Sequence, residues 1–274
     1  MKRLDESEPF AAELATAIAT AERAGALIAG RWDQDFEIRH KGAVDLVTEV
    51  DLAAEAMVVG ALTAAFPGDR ILAEEGGLSG GTGGRAWFVD PLDGTTNFSH
   101  GVPHFAVSIG LWDDAGPAVG VIHDPIRAWT YWAVRGGGAW RDSRRLCVSE
   151  VTALPNALLG TGFPYDRRTN PDNNIHRVSH LLVRSRGLRR AGAAALDLAY
   201  VAAGWLDGFW EAQLSPWDIA AGVLLILEAG GTVTGLHGEP IAVDSGCLVA
   251  TNGHVHRALV EAIVEADARF QAAR

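Results

Sequence analysis

Apolar stretches that end abruptly in carboxylates constrain this chain more than any other feature. Trp87-Phe88-Val89 suits a buried strand, and it runs straight into Asp90-Pro91-Leu92-Asp93-Gly94-Thr95-Thr96. Pro91 and Gly94 shape a turn there. A second run, Ile71-Leu72-Ala73, stops in the same way at Glu74 and Glu75. Two neighbouring strands with such ends gather their acids at one edge of a sheet. Close carboxylates repel, which lowers stability unless a proton or a metal ion intervenes. A solvated acidic turn accounts for one or two of these acids. It does not account for their position after apolar strands and before a Gly-Thr-Thr. The Asp-x-x-Asp turn can offer both carboxylates and the Leu92 carbonyl to hard cations such as Mg²⁺. Paired ions roughly 3.5–4 Å apart clamp the attacking and leaving oxygens of a phosphoryl transfer. Gly94 lets the backbone approach an anion, and the following amides with the Thr95 and Thr96 hydroxyls can donate to phosphate oxygens.

The 274 residues and 48% hydrophobic content allow a sizeable core, in one large domain or two fused halves. The formal net charge of −11 disfavours nucleic acid and anionic membranes as partners. It would also repel a phosphate compound unless bound divalent cations reverse the sign locally. Cys147 and Cys247 form no CxxC pair and no disulfide framework, so they read as two small buried residues in a reducing cytoplasm. The first ten residues lack an apolar h-region, and no run is long enough to span a bilayer.

Periodicity predicts an amphipathic helix over 9–31, weakened in its last turns by Gly25. A hairpin over 35–50 turns at His40-Lys41-Gly42, and a second helix spans 51–65. Strands follow at 70–73 and 86–90, then a meander over 104–142. Gly80 to Gly84 lacks the Lys-Ser/Thr of a phosphate-binding loop and reads as a mobile loop. Beyond residue 150 the texture turns to strand-helix alternation. Strands are expected at 156–161, 206–211, 232–235 and 246–251, and helices at 170–186, 193–204, 216–229 and 253–268. The predicted organisation is an α+β half (1–150) carrying most candidate metal ligands and an α/β half (151–274) carrying the rest, sharing one core.

Several separated motifs resemble the inositol monophosphatase-like phosphatases. Asp45-Leu46-Val47-Thr48-Glu49-Val50-Asp51 resembles the family's DxVTxxD segment, and Ala73-Glu74-Glu75 its GEE segment. Trp87 to Phe98 matches its longest signature, and Ser215-Pro216-Trp217-Asp218-Ile219-Ala220-Ala221-Gly222 with Glu228-Ala229-Gly230-Gly231 its C-terminal one. The resemblance implies a layered αβαβα sandwich of the sugar-phosphatase type. It implies two or three Mg²⁺ ions, with Mn²⁺ able to replace them. Glu74, Asp90 and the Leu92 carbonyl would hold the first ion, Asp90, Asp93 and Asp218 the second, and Glu74 with waters a weaker third. Thr95 paired with Asp45 would orient or deprotonate the attacking water, with Glu74 also at the catalytic centre. Gly94 and Thr95 amides, with Thr96, would hold phosphate; Gly192, Ala193, Ala194 and Glu211 would meet the rest of the substrate. Ala193 stands where the family has Ser or Thr, which removes a hydroxyl contact.

The implied reaction is in-line attack of a metal-activated water on a phosphate monoester. Reactions of this class are accelerated up to about 10²¹-fold, and a general base supplies only about 10²–10⁴ of that. Electrostatic stabilisation by the ions must carry most of the rest. Inositol-1-phosphate is the first expected substrate, ahead of histidinol phosphate, fructose-1,6-bisphosphate and 3′-phosphoadenosine 5′-phosphate. Lithium inhibition and a homodimer are family expectations. A reading of another class is a partner-binding regulator of transcription or ribosome assembly. His100 and His104 straddle Pro103 and read as loop or packing histidines, and His254 and His256 as solvated ones. The glycine-rich stretches show no GxGxxG fingerprint between a strand and a helix, which leaves a dinucleotide site unsupported. Arg184, Arg186, Arg189 and Arg190 read first as a solvated basic face and second as an electrostatic aid to an anionic substrate or a subunit contact, and Trp129, Trp132, Trp205 and Trp210 as core or interface filling.

Overall fold

A computed structural model describes residues 9–32, 34, 38–40 and 46–273. The first half opens with α1 (Ala11–Arg31), β1 (Ile38–His40), β2 (Leu46–Thr48) and α2 (Glu49–Ala65). It continues through β3 (Arg70–Ala73), β4 (Gly77–Gly80), β5 (Ala86–Asp93) and the short α3 (Thr95–Ser99). The meander follows as β6 (Ala106–Asp113), β7 (Gly116–Asp124), β8 (Trp129–Val134), β9 (Gly138–Arg141) and β10 (Arg144–Arg145). The second half comprises β11 (Leu158–Thr161), α4 (Ile175–Leu182), β12 (Gly187–Arg189), α5 (Ala194–Ala202) and β13 (Gly208–Ala212). It closes with α6 (Pro216–Glu228), β14 (Thr232–Thr234), β15 (Cys247–Thr251) and α7 (His256–Ala272).

Eight strands form one sheet in the order β10-β9-β8-β7-β6-β5-β3-β4, and five form another in the order β12-β11-β13-β15-β14. The period-2 alternation of strand side chains sets the layers. On β8, Trp132 and Val134 join Leu14, Ile18, Val58 and Leu62 of α1 and α2, on one face of the large sheet. Tyr131 and Ala133, on the other face, join Leu196, Leu198, Leu224 and Ile226 of α5 and α6. The same helices meet Phe209 and Leu248 of the small sheet. Leu181, Leu259 and Ile263 of α4 and α7 cover its far face, against Leu159, Trp210 and Val249. The result is the αβαβα sandwich. Its middle core draws residues from both halves of the chain.

Two close approaches fix where the helices sit. A Cβ on Gly110 would lie 2.7 Å from Ala220 Cβ, and one on Gly120 would lie 2.5 Å from the Ala221 carbonyl oxygen. Only bare backbone lets α6 press this tightly on β6 and β7. Gly25 explains itself similarly, since a Cβ there would fall 2.3 Å from His123 Cδ2. α1 therefore runs unbroken to Arg31, past the position where the sequence suggested weakness.

Several elements differ from expectation. α2 begins at Glu49, because Thr48 and Asp51 form a capping box; the Thr48 amide donates to Asp51 Oδ2 at 2.8 Å. β1 and β2 pair antiparallel, and Lys41 and Gly42 of the expected turn lie outside the described residues. The mobile-loop reading of Gly80 to Gly84 is replaced by a pinned segment. Gly80 ends edge strand β4, the Gly81 amide donates to the Asp69 carbonyl at 2.7 Å, and the Gly83 amide donates to the Gly68 carbonyl at 3.1 Å. The helix expected over 170–186 shrinks to α4, because Asn170, Asn173 and left-handed Asn174 hold the preceding stretch in side-chain turns. Residues 187–189 become an edge strand parallel to β11. Both cysteines are free, but Cys147 is exposed and Cys247 only partly buried. His256 is bound by the Thr234 and Thr251 hydroxyls rather than solvated.

Candidate metal and phosphate site

Strand β5 delivers the acids through a bulge. Asp90 pairs with Ser108 of β6, but Asp93 pairs with Ala106, so three steps on β5 match two on β6. β5 thus extends through Asp93, beyond the expected end at residue 90. The bulge surrounds Pro91, which has no amide to donate. Gly94 then adopts φ 94°, and Thr95 opens α3. Glu74 follows parallel neighbour β3, and its amide donates to the Val89 carbonyl at 3.1 Å. Glu55 of α2 fixes the same turn by accepting from the Glu75 amide at 2.7 Å. Asp218 comes from the first turn of α6, where its Oδ2 accepts from the Ser215 amide at 2.7 Å.

These acids line one cavity of about 330 Å³, together with Leu92, Gly94, Thr95, Gly192, Ala193, Ala194 and Glu211. Thr96 is exposed and stands outside that lining. Asp93 ties the halves together: Oδ1 accepts from the Ala194 amide at 3.2 Å and Oδ2 from the Ala195 amide at 2.8 Å. Asn97 of α3 reinforces this link by donating to the Ala191 carbonyl at 2.9 Å.

The electrostatics follow from burial and crowding. Burial raises Asp90 well above the carboxylate range, and Glu74, Asp93 and Asp218 push it further. Asp218 is raised by burial, then by Asp93, Glu74 and Glu211, against its bond to the Ser215 amide. Asp93 rises to about 6 through burial, held back by the Ala195 and Ala194 amides. Burial lifts Glu211 to about 8.

The donor set suits Mg²⁺. It is all oxygen, it is buried, and its members destabilise one another's charge, which a cation would relieve. Among the described residues, no three His, Cys, Asp or Glu side chains converge into a ready-made cage. The acids instead ring the cavity, so each ion would take a few protein oxygens and keep waters, as Mg²⁺ does.

Asp45 lies outside the described residues. Among the described residues, Thr95 meets Asp51: its hydroxyl lies 3.0 Å from Asp51 Oδ1 and 3.0 Å from the Leu92 carbonyl oxygen. Asp51 belongs to the same sequence motif as Asp45 and sits in the first turn of α2. Among the further residues that line the cavity, three bear on its electrostatics and shape. Asp197 of α5 is buried and raised well above the carboxylate range by that burial and by Asp93. Arg190 lines the cavity and holds down Asp93, Asp197 and Glu211. Gly162 lies so close to Glu211 that a Cβ would fall 1.8 Å from Oε1. The basic run flagged Arg190; nothing in the local pattern singled out Asp197 or Gly162. His104 packs edge-on to Tyr200, as a packing histidine should.

The pattern of the inositol monophosphatase family matches residues 11–268. A Pseudomonas aeruginosa protein named Nus factor SuhB is 48% identical over 83% of this chain and 86% of its own. An inositol-1-monophosphatase of Synechocystis sp. is 42% identical over 94% of this chain and 90% of its own. The solved inositol monophosphatase of Anabaena superposes with a TM-score of 0.84 at 43% identity, covering 92% of this chain and 95% of that one. With its four motifs, its layered sandwich and its acidic cavity, the chain belongs to the inositol monophosphatase family, a family of phosphatases.

Proposed function

We propose that the chain hydrolyses small polyol phosphates with Mg²⁺, inositol-1-phosphate first among them. The observation that carries this reading is one cavity holding Glu74, Asp90, Asp93 and Asp218, with the Thr95 hydroxyl paired to a buried aspartate at its wall. Glu74, Asp90 and the Leu92 carbonyl would hold one ion; Asp90, Asp93 and Asp218 would hold another. Bound Mg²⁺ would supply the charge that acidifies the attacking water and neutralises the leaving oxygen.

The chain's own share is positioning and proton handling. When its hydrogen points to Asp51 rather than to the Leu92 carbonyl, the Thr95 oxygen can accept from the attacking water and aim it. Burial raises the pKa of Asp51, so it can take the proton passed along that hydrogen bond. The Gly94 and Thr95 amides would donate to phosphate oxygens. Glu211, mostly neutral below about pH 8, can both donate to and accept from a substrate hydroxyl. Ala193 offers no hydroxyl, so a polyol would rely on Glu211 and neighbouring amides.

Asp93→Asn should abolish Mg²⁺-dependent phosphatase activity while circular dichroism stays native; unchanged turnover would sink the assignment. Comparing kcat/KM for inositol-1-phosphate, histidinol phosphate, fructose-1,6-bisphosphate and 3′-phosphoadenosine 5′-phosphate tests the substrate. A second reading rests on the Pseudomonas relative, whose name is that of a Nus factor. On it the chain acts through partners in transcription. Restoration of a deletion phenotype by the inactive Asp93→Asn chain would favour that role.

A further inference from the structure

We infer that the chain has a second ligand site, which takes a compact anion with two or more phosphate charges at the β9–β10 corner. A cavity of about 280 Å³ opens there, lined by Arg141, Arg144 and Arg145 with Leu146 and Trp205. It shares no lining residue with the acidic cavity. β8, β7 and β6 separate β9 from the acid-bearing β5.

The hairpin that builds this corner works against itself electrostatically. Asp142 and Ser143 form its loop, with Asp142 at φ 54°, and Arg141 stands directly opposite Arg144. Like charges in a cross-strand pair are destabilising. Among the described residues no carboxylate forms an ion pair with them, and the charge of Asp142 in the loop offsets only part of theirs. Asp142 is taken up by the Thr130 amide, at 3.1 Å, and Glu228 by the Gly136 and Gly138 amides, at 2.7 and 2.8 Å. None of the three guanidiniums has an acidic partner among the described residues.

Aromatic rings hold the cations in place instead. Arg141 lies 4.3 Å from the centroid of Trp129 and 5.3 Å from that of Trp205; Arg145 lies 6.0 Å from that of Trp140. Stacking on a ring face orients a guanidinium and leaves its N–H edges free to donate. Arg144 and Arg145 are exposed. On a chain of net charge −11, three unpaired arginines around one depression form a local reversal of sign. A single negative charge leaves two of them unmatched. A diphosphate group matches them with several charge-assisted hydrogen bonds and is small enough for the space.

The test is calorimetric titration of the full-length, Mg²⁺-loaded protein with inorganic pyrophosphate, repeated with EDTA. One binding event should survive EDTA, because the metal-free acidic cavity repels anions while the arginine corner needs no metal. That event should be tighter for pyrophosphate than for orthophosphate. It should weaken about tenfold or more in Arg144→Ser/Arg145→Ser and in Arg144→Glu, with phosphatase kcat unchanged. The inference is overturned if no event survives EDTA, if the surviving event is no tighter for pyrophosphate than for orthophosphate, or if the variants bind with the parent's affinity.

Discussion

Replacing Glu211 by Gln should remove a pH-dependent weakness from the metal-free protein. Burial raises the carboxyl from 4.5 to about 8, with Asp197 and Asp93 adding to the rise and Arg190 opposing it. The folded chain then binds this proton more tightly than the unfolded chain. A raised carboxyl supports folding fully below the unfolded pKa of 4.5 and loses that support as pH rises through about 8. Within that window each pH unit costs about 1.4 kcal/mol, and because both ends are only partly titrated, moving from pH 5 to pH 8 removes about 3–4 kcal/mol. Glutamine has no proton to lose and keeps much the same shape. Urea unfolding at pH 5, 6, 7 and 8 in EDTA should therefore show the stability difference, variant minus parent, growing with pH by that amount. A difference that is flat with pH, or that shrinks as pH rises, would refute the claim that Glu211 is held neutral by burial.

Three other outcomes follow from the same geometry. Thr95→Val should lower kcat by about 10²–10⁴ with little change in KM, and Thr95→Ser should recover most of it, since the hydroxyl rather than the methyl meets Asp51. Asp51→Asn should lower kcat in the same range, and thermal melting should fall with it, because Asp51 also anchors the Thr48 amide of the α2 cap. Gly110→Ala should destabilise the fold by about 1–3 kcal/mol and weaken Mg²⁺ binding measured by titration, because the added methyl meets Ala220 and displaces the helix that bears Asp218.

What could be read without a structure was local. The periodicity of residues 11–31 and the apolar runs before Glu74 and Asp90 report burial of one face of a helix or of a whole strand. Each depends on residues a few positions apart. The acidic ends of the two strands, and the chemistry such ends allow, were legible for the same reason. Short or irregular elements were not. β4 and β12 have only three or four residues each and exist because a neighbouring strand supplies their hydrogen bonds.

The assembly of the site was settled by contacts that span the chain. The motif resemblance pointed to Asp45 and passed over Asp51, six residues on in the same motif. That Asp51 meets Thr95 depends on where α2 starts and how it packs beside α3, 44 residues further on. Asp93 grips amides of Ala194 and Ala195 from about a hundred residues away, and that grip brings the substrate segment to the acids. Glu211 is an ordinary carboxylate in the sequence. Removal of water around it makes it a group that holds its proton near pH 8, with the charges of Asp197 and Asp93 adding to the effect. The sequence alone thus determined which groups could do the chemistry, since side-chain type and local pattern are written in it. Only the tertiary structure decided which of them meet and how they are charged, because proximity and desolvation arise when distant segments pack.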